Sequence, residues 1–127
     1  MTEQLKKVQN FHQIFQQKDA EEPTLVDPET FHLRYRLMEE ENMEYVEACI
    51  KGDLVEIADA LGDQLYILCG TILKHGLQDK IEEIFEEIQR SNMSKLGENG
   101  KPIFREDGKI LKGPGYFRPD IKKILDK

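Results

Sequence analysis

The sequence predicts an all-α fold: a four-helix-type bundle completed by oligomerisation, followed by an irregular C-terminal tail that contains a short β-hairpin. Three observations predict it. Apolar residues recur every three or four positions through most of the first 90 residues; Gly and Pro interrupt those stretches at few places; and the helical period is lost after Arg90. A chain of 127 residues has the length of one domain, so a single domain over 1–127 is expected, with a helical body to about residue 90 and a basic tail over 91–127.

Leu5, Val8, Phe11, Ile14 and Phe15 predict a first helix over about 3–17, after which Asp19 to Pro28 reads as a polar loop. Asp27 offers an N-cap and Pro28 suits the first helical position, where its missing N–H has no partner to lose. A long second helix is therefore expected to reach about Lys51. Gly52 and Asp53 punctuate it. A third helix is expected from Asp53 to about His75, stopped by Gly76, and a fourth from an Asp79 cap to near Arg90. Asp107-Gly108, between two short apolar runs within 102–111, signals a hairpin; Gly113-Pro114-Gly115 then breaks the chain before a short segment from Pro119 to Leu125.

With 39% hydrophobic residues the chain is too apolar for disorder, and no apolar run approaches the roughly 18 residues of a membrane span. Met1 to Lys7 lacks an apolar signal core, so a cytoplasmic protein is expected. A net charge of −7 argues against nucleic acid as the main partner. The charge is divided: residues 1–89 hold 8 Lys and Arg against 20 Asp and Glu, a balance of −12, whereas 90–127 hold 10 against 5, a balance of +5. Cys49 and Cys69 lie in apolar helical segments without metal-ligand spacing and read as reduced, buried thiols.

The acidic residues occupy unusual positions. At about 100° per residue from Glu41, Leu37, Ala48 and Tyr45 fall at about −40°, −20° and +40°, so Glu41 sits in the middle of a stripe that would ordinarily face the core. Glu44 borders the stripe at about −60°, Glu40 lies further out at about −100°, and Glu39 and Glu47 point away. On the third helix Glu56, Asp59 and Asp63 share a face with Val55 and Tyr66, opposite a side of Ile57, Leu61, Leu65, Leu68 and Ile72 that reads as ordinary core. Gly62 and Gly70 lie on the acidic face, each at a cost of about 1 kcal/mol in helix propensity, and are read as making space near the carboxylates.

A short connection at Gly52 makes the two helices antiparallel neighbours, which brings Glu41 and Glu44 towards Glu56 and Asp59. Facing carboxylates repel unless something neutralises them. All the donors are hard oxygens with no well-placed His or Cys, which selects Mg2+, with Mn2+ as a substitute. Mg2+ on a few carboxylates usually also binds phosphate oxygens, so a phosphate ester or anhydride is the expected substrate class. The competing reading is an acidic helix pair with solvated charges and salt bridges to Lys and Arg.

Glu40-Glu41-Asn42-Met43-Glu44 followed by Glu56-Ile57-Ala58-Asp59 resembles the EExxE and ExxD motifs of the all-α nucleoside triphosphate pyrophosphohydrolases, the group of MazG, the dimeric dUTPases and phosphoribosyl-ATP pyrophosphohydrolase. The likeness takes in residues 34–38, 58–63 and 91–95, covers roughly residues 30–120, and is similar to a MazG-like subgroup. It implies a Mg2+-dependent enzyme that cleaves a nucleoside triphosphate between the α and β phosphates, giving monophosphate and pyrophosphate in nucleotide-pool house-cleaning. It implies metal ligands at Glu41, Glu44, Glu56 and Asp59, with Glu40 and Glu41 as catalytic acid or base. Asp63, beyond the minimal motif, is assigned to substrate binding. The tail after Arg90 departs from the short enzyme of histidine biosynthesis, which points away from phosphoribosyl-ATP as substrate. The alternative is a helical nucleotide-sensing or interaction module with little turnover.

In the tail, the donors of Ser91 to Lys95 follow a helix end, and Asn92, Lys95 and Lys112 are assigned to substrate phosphates or a base edge. Neither a P-loop nor GxGxxG occurs. His12, His32 and His75 are scattered and read as packing or surface residues. Surplus apolar surface on the third helix predicts a homodimer or, by the family likeness, a homotetramer, with no membrane or nucleic-acid partner.

Overall fold

The computed structural model describes residues 1–127, which form helices α1 (Glu3–Ile14), α2 (Pro28–Lys51), α3 (Leu54–Lys74), α4 (Ile81–Met93) and α5 (Ile121–Leu125) and the short strands β1 (Ile103–Phe104) and β2 (Ile110–Leu111). The fold is therefore all-α with one antiparallel hairpin, in which Ile103 faces Leu111 and Phe104 faces Ile110. Helix starts follow the expected chemistry. Asp27 accepts from the Thr30 amide at 2.8 Å with Pro28 in the first turn, and Asp53 accepts from the Glu56 amide at 3.1 Å. Between those helices Gly52 adopts φ +70°, a left-handed cap that lets α2 end and α3 begin within two residues. The fourth helix departs from expectation. Its cap position is Lys80, with no side-chain hydrogen bond, so Asp79 does not cap it, and it continues three residues past Arg90 to Met93.

The chain forms two compact units, Met1–Asp79 and Lys80–Lys127, so α4 belongs with the C-terminal segment. In the first, α1 and α2 both pack on α3. Leu5 and Val8 of α1 and Cys69 and Leu73 of α3 are buried, and Ala48 and Ala60 are buried near the α2–α3 turn. The pair runs antiparallel, with Asn42 bonded to Gln64 and Arg34 to Ile67 and Thr71. The opposite side of α3 is not ordinary core within one chain: Leu61, Leu65 and Leu68 are each about half exposed, at 49%, 50% and 47%. An amphipathic period locates an apolar face but does not say whether the same chain covers it. Cys69 is buried as expected, but Cys49 is exposed. No helix is long and apolar enough to cross a membrane.

In the second unit α4 packs on α5. The Ser91 hydroxyl donates to the Phe117 carbonyl at 2.8 Å, and the Ser94 hydroxyl accepts from the Phe117 amide at 3.2 Å. Gly113 lies against the Leu96 carbonyl where no Cβ fits.

Candidate active site

Glu41, Glu44 and Asp63 each offer a carboxylate oxygen, and the three oxygens lie within 4.8 Å of one another. Two come from α2, one turn apart, and the third comes across the antiparallel pair from α3, where Glu41 and Asp63 stand at matching distances from the Gly52 turn. One oxygen of Glu41, Oε2, is buried without a hydrogen-bond partner. Desolvation, then the adjacent Glu44 carboxyl, then the charges of Asp63 and Asp59 push the Glu41 pKa from 4.5 up to about 7. A carboxyl so placed is relieved either by keeping a proton shared with Glu44 or by meeting a positive charge. A buried carboxylate oxygen normally has a donor, and none is supplied by the protein.

One turn nearer the Gly52 end, Glu44, Glu47, Glu56 and Asp59 line a cleft of about 240 Å³. The structure thus brings together all four expected metal ligands in two overlapping groups that share Glu44, with Asp63 in the more enclosed one. The one ion pair made by the set is with Lys51, whose ammonium stands 4.0 Å from Glu56 with both groups exposed, too weak a contact to neutralise the set. Glu40 is exposed and belongs to neither group. Glu47, read from the helical wheel as pointing away, lines the cleft. A wheel centred on one helix misses it, whereas counting residues outward from Gly52 along both helices places it opposite Glu56 and Asp59.

The structure revises other readings of this face. Gly62 has open space where a Cβ would be, and Gly70 makes room not for carboxylates but for the Arg34 guanidinium and the His12 ring. Asn92, Lys95 and Lys112 all lie in the second unit. Asn92 is exposed near the end of α4, and Lys95 is half-buried, its carbonyl accepting from the Gly113 amide at 2.8 Å. The Lys112 ammonium sits over the Tyr116 ring, 4.7 Å from its centre. Ser91 and Ser94, possible phosphate donors by sequence, are engaged with the backbone of Phe117.

The all-α fold and the carboxylates shared between α2 and α3 suit a nucleotide pyrophosphohydrolase. The chain belongs to the phosphoribosyl-ATP pyrophosphohydrolase family, whose sequence profile matches residues 8–92. It is similar to the crystal structure of a candidate NTP pyrophosphohydrolase from Exiguobacterium sp. 255-15, with TM-score 0.55 and 26% identity over 98% of this chain and 95% of that one. It is also 32% identical over 117 residues to an uncharacterized protein, L479, of Acanthamoeba polyphaga mimivirus, an alignment that takes in 90% of this chain. The chain spans 41% of the length of that relative. The family and the solved structure support a function of the NTP pyrophosphohydrolase type.

Proposed function

We infer that the protein is a Mg2+-dependent nucleoside triphosphate pyrophosphohydrolase, a single MazG-like domain that splits its substrate between the α and β phosphates into a nucleoside monophosphate and pyrophosphate. Removing non-standard or surplus nucleotides from the pool is the role such a reaction suits. The observation that carries this reading is the cluster of Glu41, Glu44 and Asp63, whose carboxylates each place an oxygen within 4.8 Å of the others, and in which Glu41 has a buried, unpartnered oxygen. The donors are all oxygen, which fits Mg2+ or Mn2+ and does not fit zinc. Glu41, Glu44, Glu56 and Asp59 would hold the cation or cations, and Asp63, which its sequence position assigns to substrate binding, has the geometry to join them.

A bound divalent cation supplies positive charge to phosphate oxygens and makes water more acidic. The protein supplies the rest. Carboxylates anchored on two packed helices hold a fixed acidic surface against which a polyphosphate is oriented. Water attacks phosphorus in line, its proton passes to a carboxylate, and pyrophosphate leaves. Glu41, whose proton affinity in the cation-free site reaches neutral pH, and Glu40, the exposed carboxylate beside it, are the acceptors proposed for that proton. Asn92, Lys95 and Lys112 are proposed to contact the nucleotide. The half-exposed leucines of α3 are proposed to be covered by a second copy, in a homodimer or homotetramer. Pyrophosphate release from a panel of nucleoside triphosphates with Mg2+, and its loss with chelator, tests the reaction. Binding without release in every case would turn the reading to a nucleotide-sensing module.

A further inference from the structure

The most enclosed ionic cluster of the first unit lies away from the acidic site. Arg34 of α2 is only 9% exposed and donates twice to α3, from Nε to the Thr71 hydroxyl at 3.0 Å and from Nη2 to the Ile67 carbonyl at 2.9 Å. The Thr71 hydroxyl itself donates to the same Ile67 carbonyl at 2.9 Å, so the guanidinium fits a preset pair of acceptors. The α3 helix is cut away to receive it. A Cβ on Gly70 would stand 2.6 Å from Arg34 Nη2 and 3.2 Å from Nε2 of His12, so only glycine admits this packing. His12, also buried, has Nδ1 2.6 Å from Asp19, and Lys74 lies 4.0 Å from the same carboxylate. Burial lowers the proton affinity of the guanidinium and the charge of Asp19 partly restores it, so the cation is enclosed and compensated.

Arg34 stands seven residues, about 10 Å of helix, before Glu41, and Ile67 stands one turn after Asp63. The acidic cluster is therefore bracketed along the α2–α3 pair by buried Ala48 and Ala60 on the turn side and by the Arg34 fork on the open side. Between the brackets, three carboxylates within 4.8 Å push the helices apart when no cation is bound. Nothing covalent holds the open side, since the chain connects α2 to α3 only at Gly52. We propose that Arg34, seated in the notch at Gly70, is a positioning residue for the acidic site: it holds α2 on α3 against carboxylate repulsion, so that Glu41, Glu44 and Asp63 are already gathered before a divalent cation arrives.

This inference rests on the metal reading above, and it predicts a particular split. Without the fork, part of the cation's binding energy is spent on drawing the helices together, so affinity falls, whereas the cation-saturated site is the same as before. In the full-length protein, Arg34→Met should weaken Mn2+ binding, read by the electron paramagnetic resonance of free Mn2+, by about tenfold or more. The Mg2+ concentration for half-maximal turnover should rise in parallel, and kcat at saturating Mg2+ should change less than about threefold. Arg34→Lys, which keeps the charge and one donor, should fall between; Gly70→Ala, which evicts the guanidinium without removing it, should resemble Arg34→Met. If Arg34→Met does not fold, the other two variants carry the test. Unchanged Mn2+ affinity in folded variants of a wild type that binds Mn2+ overturns the positioning role alone, as does a fall in kcat with unchanged affinity. Absence of Mn2+ binding by the wild type overturns the metal reading, and this inference with it.

Discussion

The α2–α3 pair and the C-terminal unit carry their charges in opposite ways. In the second unit four ion pairs form: Arg90 with Glu87 at 2.7 Å, Arg105 with Asp107, Lys122 with Asp126 at 2.5 Å and Lys127 with Glu83, and Arg90 also lies over the Phe117 ring. On α2 and α3 the carboxylates face one another, and the nearest cation reaches only Glu56, at 4.0 Å. A matched surface needs no ligand to be stable, whereas a cluster of like charges beside an unpartnered buried oxygen is stable only at a cost that a cation would remove. On the proposed function, the difference separates charge that maintains a fold from charge that awaits a substrate complex.

The largest expected effect breaks that comparison at its acidic end. Glu41→Gln, Glu44→Gln, Glu56→Gln and Asp59→Asn should each lower Mg2+-dependent pyrophosphate release by about a hundredfold or more, because each removes a proposed charged ligand and almost no volume. Asp63→Asn belongs with them if it shares the cation with Glu41 and Glu44. Asp107→Asn, which breaks a matched pair in the tail, should leave turnover unchanged. Full activity in two of the four named variants, or a loss with Asp107→Asn as large as theirs, would remove the distinction.

The next effect follows from the Glu41 proton. Its folded-state pKa of about 7 lies above the ordinary 4.5, so the cation-free folded protein holds a proton between those values that the unfolded chain has lost. Stability of the cation-free protein should therefore fall as pH rises from about 4.5 to 7, and level off above. Glu41→Gln should flatten that window in thermal melts. A cation must displace the same proton, so Mn2+ affinity should drop about tenfold per pH unit below pH 7 in the wild type and lose that dependence in the variant. A melt that is flat with pH in the wild type would show that Glu41 is not held among unneutralised charges.

Much of this difference was legible in the sequence. A carboxylate at the centre of an apolar stripe, as at Glu41, is visible from periodicity alone, and the Asp27-Pro28 and Gly52-Asp53 signals set the helix pair. Other features depend on tertiary distance. Glu47 faces the cleft because of how two helices diverge from a turn, and Gly70 serves a guanidinium that reaches it from 36 positions earlier in the chain. Ser91 and Ser94 look like phosphate donors until the Phe117 carbonyl, far along the chain, takes the Ser91 proton and the Ser91 carbonyl takes that of Ser94. The exposed apolar side of α3 reads as core because a hydrophobic period is the same whether its partner is in the same chain or in another.

Lys95 is one of the tail cations whose side chain joins no ion pair, and it alone of these follows directly on the end of α4. If it serves the nucleotide, Lys95→Ala should raise KM or lower kcat by about tenfold, equivalent to roughly 1.4 kcal/mol, and leave Mn2+ affinity of the free protein unaltered. Steady-state kinetics beside a Mn2+ titration reads both. Wild-type kinetics would return Lys95 to the matched, structural side of the comparison.

Lys112 gives the smallest effect, and one whose sign can be chosen. Its ammonium already has a partner in the Tyr116 ring, at 4.7 Å, an interaction worth about 0.5–1 kcal/mol at an exposed position. A substrate phosphate gains from Lys112 only the excess over that contact. Lys112→Ala should therefore raise KM by about two- to fivefold, less than Lys95→Ala, with kcat nearly constant. Tyr116→Leu separates the two uses of the lysine. It removes the competing ring and keeps the charge, so KM should fall by about two- to fivefold if the ammonium reaches the nucleotide. A purely structural contact gives the opposite pattern, in which both variants lower the melting temperature by similar amounts and neither moves KM. A rise in KM for both would mean that Tyr116 orients the lysine towards the phosphate and does not hold it back.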